Sequence, residues 1–236
     1  MAIKRRLNMA NRPIFRAISQ SPYFEVENVN FKFYSGFSVS QKQKSINDLH
    51  EQYIKLYPNA NILEISSKST SALGVSLSAF NLNIQTAKRA FSVECAFQSS
   101  KVFESGGPYT DLLDRSSIEA KKDPRLHDSG KLIAFQYFNV KFPLEPKDYF
   151  YNWLYINALK LNTELTSEII TYDSFSDIEF NPQKSINCQA KAAAIFVSLS
   201  NQHLIEEALK SRENFLKIVY GKNTTEQYNQ ISFNFD

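Results

Sequence analysis

Four side chains between residues 94 and 101 carry chemistry at helical spacing: Glu94, Phe97, Gln98 and Lys101, within "VECAFQSSK". On a helix, Gln98 lies one turn beyond Glu94 and Lys101 nearly two. Ser92 is placed to cap such a helix, which puts Glu94 in its first turn. A helix over 92–104 lets Lys101 lean back over Phe97 and Gln98 toward Glu94. A lone first-turn glutamate only complements the helix dipole, and a lone lysine is only solvated. Phe97 inside the polar face argues against that bland arrangement. A carboxyl group beside an aromatic wall can act as general acid or base in glycosidic bond cleavage. A lysine can place charge on a phosphate or attack a sugar aldehyde to form a Schiff base. Gly106 and Gly107 follow, and glycine lets backbone N–H groups approach an anion closely. Tyr109 and Asp111 continue the polar stretch. This combination suits a nucleotide-sugar site.

Other polar stretches offer charge without a fixed geometry. Lys44 in "SVSQKQKS" and Lys68 in "EISSKS" are candidate phosphate contacts that also suit solvated loops. Asp177, Glu179, Asn181, Lys184 and Asn187 precede an apolar, alanine-rich segment. The helix start they mark can hold an anion, or these residues simply cap and turn the chain. The clusters "IKRR" (3–6), "QKQK" (41–44) and "KK" (121–122) could touch phosphates but read equally as solvated faces.

The elements that must position these groups come from a chain of 236 residues, 43% of them hydrophobic. That is enough for one domain with a sizeable core. The 19 Phe and 12 Tyr can fill that core and line pockets. A net charge of +3 carries no strong nucleic-acid signature. Cys95 and Cys188 are no disulfide framework, so a cytosolic, reducing setting is expected. No run approaches the roughly 18 apolar residues of a membrane span, and the basic N-terminus lacks a signal peptide's apolar core. Three scattered histidines speak against a metal site.

Residues 1–21 read as loose. Residues 24–34 alternate like a strand, with a break near 27–28. Residues 35–45 read as a loop, 46–57 as a helix stopped by Pro58, and 60–67 and 75–84 as strands. After the 92–104 helix come expected helices at 109–121, 125–138, 143–162, 164–173, 188–200 and 203–219. Trp153 is assigned to the core, and 174–187 to a long polar loop. The fold class is therefore α+β: a mainly helical single domain with a small antiparallel sheet from the N-terminal third. The expected boundaries are a flexible N-terminus at 1–11, one domain at 12–220 and a polar tail at 221–236. No dinucleotide-binding or P-loop motif is present.

A resemblance adds what spacing leaves open. "LSAFNL" (77–82) followed by "SVECAFQSSKVF" (92–103) resembles the NADAR superfamily, with its "(L/F)SNF" segment and "S-x-E-H-x-(Y/F)-Q-x-x-K" motif. "GFSVSQKQKSI" (36–46), "DPRLHDSGKL" (123–132) and "DIEFNPQKSINCQAKAAA" (177–194) are similar to the NADAR antitoxins encoded beside DarT toxins. DarT-type toxins transfer ADP-ribose from NAD to DNA bases. The resemblance therefore implies a cytoplasmic ADP-ribosyl glycohydrolase that removes ADP-ribose from guanine in DNA, with RNA a second polymer to consider. It implies no cofactor, no metal, no membrane and functional pairing with a DarT-type toxin. Glu94, Gln98 and Lys101 match the motif's Glu, Gln and Lys, and Ser78 and Phe80 match the Ser and Phe of "SNF". Ala79 stands where the motif has Asn, with Asn81 as a compensating amide. Cys95 stands where the motif has His. By this resemblance Glu94 transfers a proton at the guanine or the attacking water. Lys101 acts electrostatically or by Schiff base, and Phe80 and Phe97 wall the sugar or base. Two other functions compete: an N-glycosidase for a small phosphorylated metabolite of riboflavin-pathway type, and an antitoxin that only binds its toxin.

Overall fold

The main sheet begins where the N-terminus reads as least structured. In the computed structural model, which describes residues 8–221, β1 runs Met9–Ala17 and β2 Phe24–Lys32. They pair antiparallel in unbroken register, from Met9 opposite Lys32 to Ala17 opposite Phe24. Residues 9–17 are thus a strand and not a loose segment, and β2 has no break at 27–28. Successive side chains leave opposite faces of a strand. Ile14 accordingly joins a small core with Val29, Phe31, Ile46, Leu49, Tyr53 and Ile178, and Phe15 joins the main core. Residues 1–7, with the "IKRR" cluster, and 222–236, with most of the expected tail, lie outside the described residues.

α1 (Val39–Leu56) covers the small core. Its start replaces the loop expected at 35–45. Ser38 caps it, its Oγ accepting from the Gln41 N–H at 3.3 Å. The first turn and a half is exposed or half-buried, so no apolar spacing marks it. β3 (Ile62–Glu64) follows, then α2 (Ala72–Ser76), β4 (Asn83–Gln85) and β5 (Ala90–Ser92). The strand expected at 75–84 is mostly a buried turn. Leu77, Ser78 and Ala79 are all buried, and the Ser78 hydroxyl and Asn81 amide both donate to the Val75 carbonyl, at 2.7 and 2.9 Å. Such side-chain bonds offer the backbone an alternative to a ladder.

The expected 92–104 helix is half as long. α3 runs Val93–Ser99, and Lys101–Phe103 is β6. The hydroxyls of Ser99 and Ser100 donate back to the Ala96 carbonyl, at 3.0 and 2.7 Å, and compete with helix continuation. A 3-10 turn (Thr110–Asp114), α4 (Ser117–Lys121) and α5 (Arg125–Asp128) replace the longer helices expected there. β7 (Leu132–Tyr137) and β8 (Val140–Phe142) complete an antiparallel sheet in the order β6-β7-β8, so the second half of the helix expected at 125–138 is strand.

α6 (Tyr149–Leu161), α7 (Thr163–Ile169), β9 (Ser174–Ser176) and α8 (Gln189–Asn201) form the centre. α8 is buried along nearly its whole length and packs on α6 and β1. Its Ala192–Ala194 run permits that close approach. β9, hidden in the expected polar loop, pairs with β1 antiparallel and β3 parallel, giving the order β2-β1-β9-β3. The sheets therefore extend well past the N-terminal third, while the α+β class holds. The helix expected at 203–219 splits into α9 (Ile205–Leu209) and α10 (Arg212–Tyr220), where Ser211 caps the second. Among the described residues no helix is long and apolar enough to cross a membrane.

His50 of α1 ties this frame to β9 through the Ser176 hydroxyl at 2.8 Å. Ser176 in turn donates to the buried Glu64 carboxyl, which also accepts the Ile178 N–H at 2.8 Å. Desolvation lowers the His50 pKa from 6.5 to about 4. The unfolded chain then takes up the proton near 6.5 and the folded chain near 4, so stability is lost as pH falls through that window. Burial raises the carboxyls of Glu64 and Asp177, which shift stability the other way. Both proteins in a comparison share that effect. His50→Gln should therefore lose about 2 kcal/mol less than the unsubstituted protein between pH 7 and 4.5, allowing for the half-exposed ring. Urea midpoints at the two pH values measure this, and equal losses would rule it out.

Candidate functional site

Glu94 is 5% exposed, and its environment is built by four chain segments. Ser92 caps α3, its Oγ accepting from the Cys95 N–H at 3.1 Å. The Glu94 N–H donates to the Ala79 carbonyl at 2.8 Å. The Ala79 N–H donates to Gln189 Oε1 at 2.7 Å, and Gln189 Nε2 donates to the Ile65 carbonyl at 2.7 Å. One peptide, Ala79, is thus gripped on one side by α8 and on the other by α3. The side chain that could have stood at position 79 is not needed for this contact, which goes through the backbone.

The carboxylate accepts from Gln98 Nε2 at 2.8 Å, the one-turn partner expected on the helix. Lys101 lies with Nζ 5.1 Å from the Phe97 ring centroid, as expected, but it reaches that place from β6. The cation paired with Glu94 is another one: Lys121 Nζ of α4 stands 3.8 Å from Oε1 and 5.0 Å over the Phe80 ring. Desolvation pulls the Lys101 pKa below that of an ordinary lysine. Glu94 opposes this and the Lys121 charge adds to it. Behind them, the Tyr151 ring meets Phe97 edge-on at 5.1 Å. Its phenol is held well above its ordinary pKa, by burial first and then by Glu94. Asp177 is buried, and its carboxylate also acts on the Tyr151 phenol.

The remaining candidates divide. Glu179 pairs with Lys42 at 3.1 Å. Lys44, Lys68 and Lys184 make no ion pair among the described residues; Lys44 and Lys184 are exposed and Lys68 half-buried. Asn187 Oδ1 is buried without a partner. Ser78 and Asn81 are committed to Val75, as described above. Asp111 lies in the guanidinium fork of Arg125, at 3.2 and 2.7 Å, which lowers its pKa. Arg125 also covers the Tyr109 ring at 4.4 Å, and the Tyr109 hydroxyl bonds Ser129. The glycines serve packing: a Cβ on Gly106 would meet Tyr109 Oη at 2.2 Å, and one on Gly107 the Lys101 carbonyl at 2.3 Å. Cys95 is buried and its thiol donates to the Arg115 carbonyl at 3.2 Å, tying α3 to the turn before α4. Beside Phe80 opens a cavity of about 530 Å³ lined by Cys95, Arg115 and the serines 92, 116 and 117.

Sequence reasoning missed Lys121, Tyr151 and Gln189 as parts of the site. The "KK" run marked Lys121 as a cation, but no spacing joins it to Glu94. Among the described residues no cluster of three or more His, Cys, Asp or Glu could hold a metal.

A family model described as DarT1-associated NADAR antitoxin matches residues 10–229. The chain belongs to this family. No curated protein matches it. Of the residues that the resemblance singled out, Gln98 bonds the Glu94 carboxylate and Lys101 rests on Phe97. Membership in the DarT1-associated NADAR family also joins the chain functionally to a DarT toxin.

Lys101 depends on Gly107, which has φ +85° and lies against the Lys101 carbonyl. Gly107→Ala combines a left-handed backbone penalty with a clash against β6. It should destabilise the protein by roughly 2 kcal/mol or more. Denaturant unfolding reads this directly, and an unchanged midpoint would contradict it.

Proposed function

We propose that this NADAR protein hydrolyses the N-glycosidic bond between ADP-ribose and guanine in DNA, reversing the modification made by its DarT1 partner. NADAR proteins are generally hydrolases of such bonds. The observation that carries the reading is the buried Glu94 acting on a desolvated Lys101 that rests on the Phe97 ring. A depressed lysine pKa favours the free amine, the form that attacks a carbonyl or imine carbon. Lys101 is accordingly read as a nucleophile.

In this scheme the distal ribose opens at its C1–ring oxygen bond. The ring oxygen takes a proton from water and the glycosidic nitrogen forms an iminium. The Lys101 amine adds to C1. Glu94 carries the proton from the lysine nitrogen to the guanine nitrogen, and the C1–guanine bond breaks. Water adds to the lysine imine, the C1–Nζ bond breaks, and ADP-ribose recloses with return of the ring proton. One water is consumed and no electrons are transferred. Phe97 and Phe80 supply apolar walls, and Lys44, Lys68 and Lys184 are uncommitted cations for phosphates.

The test is an oligonucleotide carrying ADP-ribosylated guanine. The purified protein should release free ADP-ribose, and Glu94→Gln and Lys101→Ala should each slow release by about 10²-fold or more. Undiminished release by both variants would rule out these roles, and no release by the unsubstituted protein would rule out the activity. An RNA oligonucleotide with the same modification decides between the polymers.

A further inference from the structure

We propose that Lys121 is a positioning residue for the Lys101 amine, taking up the Glu94 carboxylate that would otherwise become its counter-ion. This rests on the reading of Lys101 as the nucleophile. Glu94 lies in the first turn of α3 and Lys101 opens β6 seven positions later, and the two act on each other electrostatically. The structure does not pair them. Glu94 Oε1 is engaged by Gln98 and, from the open side, by Lys121 at 3.8 Å. Lys101 makes no ion pair among the described residues and rests on Phe97.

The charged groups that face Lys101 are two: Glu94 from α3 and Lys121 from α4. β7, its partner strand, sets Phe135 opposite it and carries no charged residue. α6 contributes Tyr151 near Glu94, and burial keeps that phenol neutral. Lys121 therefore acts twice. It is a like charge beside Lys101, and it occupies the one carboxylate that would favour the ammonium form.

Its place is set by the fold. α4 begins with a capping box in which Ser116 and Glu119 bond reciprocally. The Cys95 thiol holds the turn before it to α3. Phe80 seats the ammonium, as aromatic faces attract cations. The Lys121 side chain is 57% exposed, so substitutions there leave the core intact.

The experiment needs no substrate. Lys101 is labelled with acetic anhydride across a pH series, and the modified peptide is quantified by mass spectrometry. Labelling reports the free-amine fraction. In Lys121→Gln, Lys101 labelling at neutral pH should fall roughly five- to tenfold, and Lys121→Arg should restore it. Equal or greater labelling of Lys101 in Lys121→Gln overturns the proposal. ADP-ribose release over the same pH series separates the two readings. A labelling shift without turnover by the unsubstituted protein sinks the glycohydrolase reading alone. Turnover without a labelling shift sinks the Lys121 role alone. A loss of turnover that is uniform across pH, with labelling unmoved, assigns Lys121 to phosphate binding instead and also overturns it.

Discussion

The burial of one carboxylate governs this structure. A buried carboxylate is costly unless paired and hydrogen-bonded, and Glu94 meets that requirement with two side-chain partners while its backbone is held by a third group. Gln98 comes from its own helix, Lys121 from α4, and the local backbone is fixed by Ala79. Ala79 in turn is held by Gln189 at the start of α8, a helix buried along most of its length. The site is thereby anchored to the core and not to a surface loop. Groups held by rigid elements keep the geometry that proton transfer requires.

The second constraint is the break between α3 and β6. A continuous helix would leave Lys101 on the same surface as Glu94, free to close the pair itself. The serines at 99 and 100 turn the chain into the β6-β7-β8 sheet, and Gly107 lies flat against the Lys101 carbonyl. Lys101 is thus fixed by a sheet and Glu94 by a helix. Their separation gives one buried carboxylate and one desolvated amine in place of a salt bridge.

A second buried acid network lies behind the site. Glu64 bonds Ser176 and Ile178, His50 reaches the same serine, and Asp177 follows directly. It joins α1, β3 and β9, and Asp177, like Glu94, raises the Tyr151 phenol electrostatically. The parallel β3–β9 pair sets Glu64 opposite Ser176, the residue before Asp177, across more than a hundred positions of chain. The sheet that closes the fold is also what delivers the second carboxyl to the polar interior.

The sequence by itself determined the residue types and the short-range geometry: the Ser92 cap, the one-turn Glu94–Gln98 bond, the aromatic seat under Lys101 and the α+β class. These depend on contacts within a few positions, which periodicity records. It misjudged β1, β9 and the 99–103 turn. β1 puts its polar residues on the more exposed face, the buried serines of β9 bond other side chains, and Ser99 and Ser100 bond the Ala96 carbonyl, and none of these leaves an apolar period. Tertiary structure alone decided that Lys121 pairs with Glu94, that Gln189 grips Ala79 and that Asp111 belongs to Arg125. Each joins elements that only packing brings together, and a buried charge takes whichever partner the folded chain places within reach.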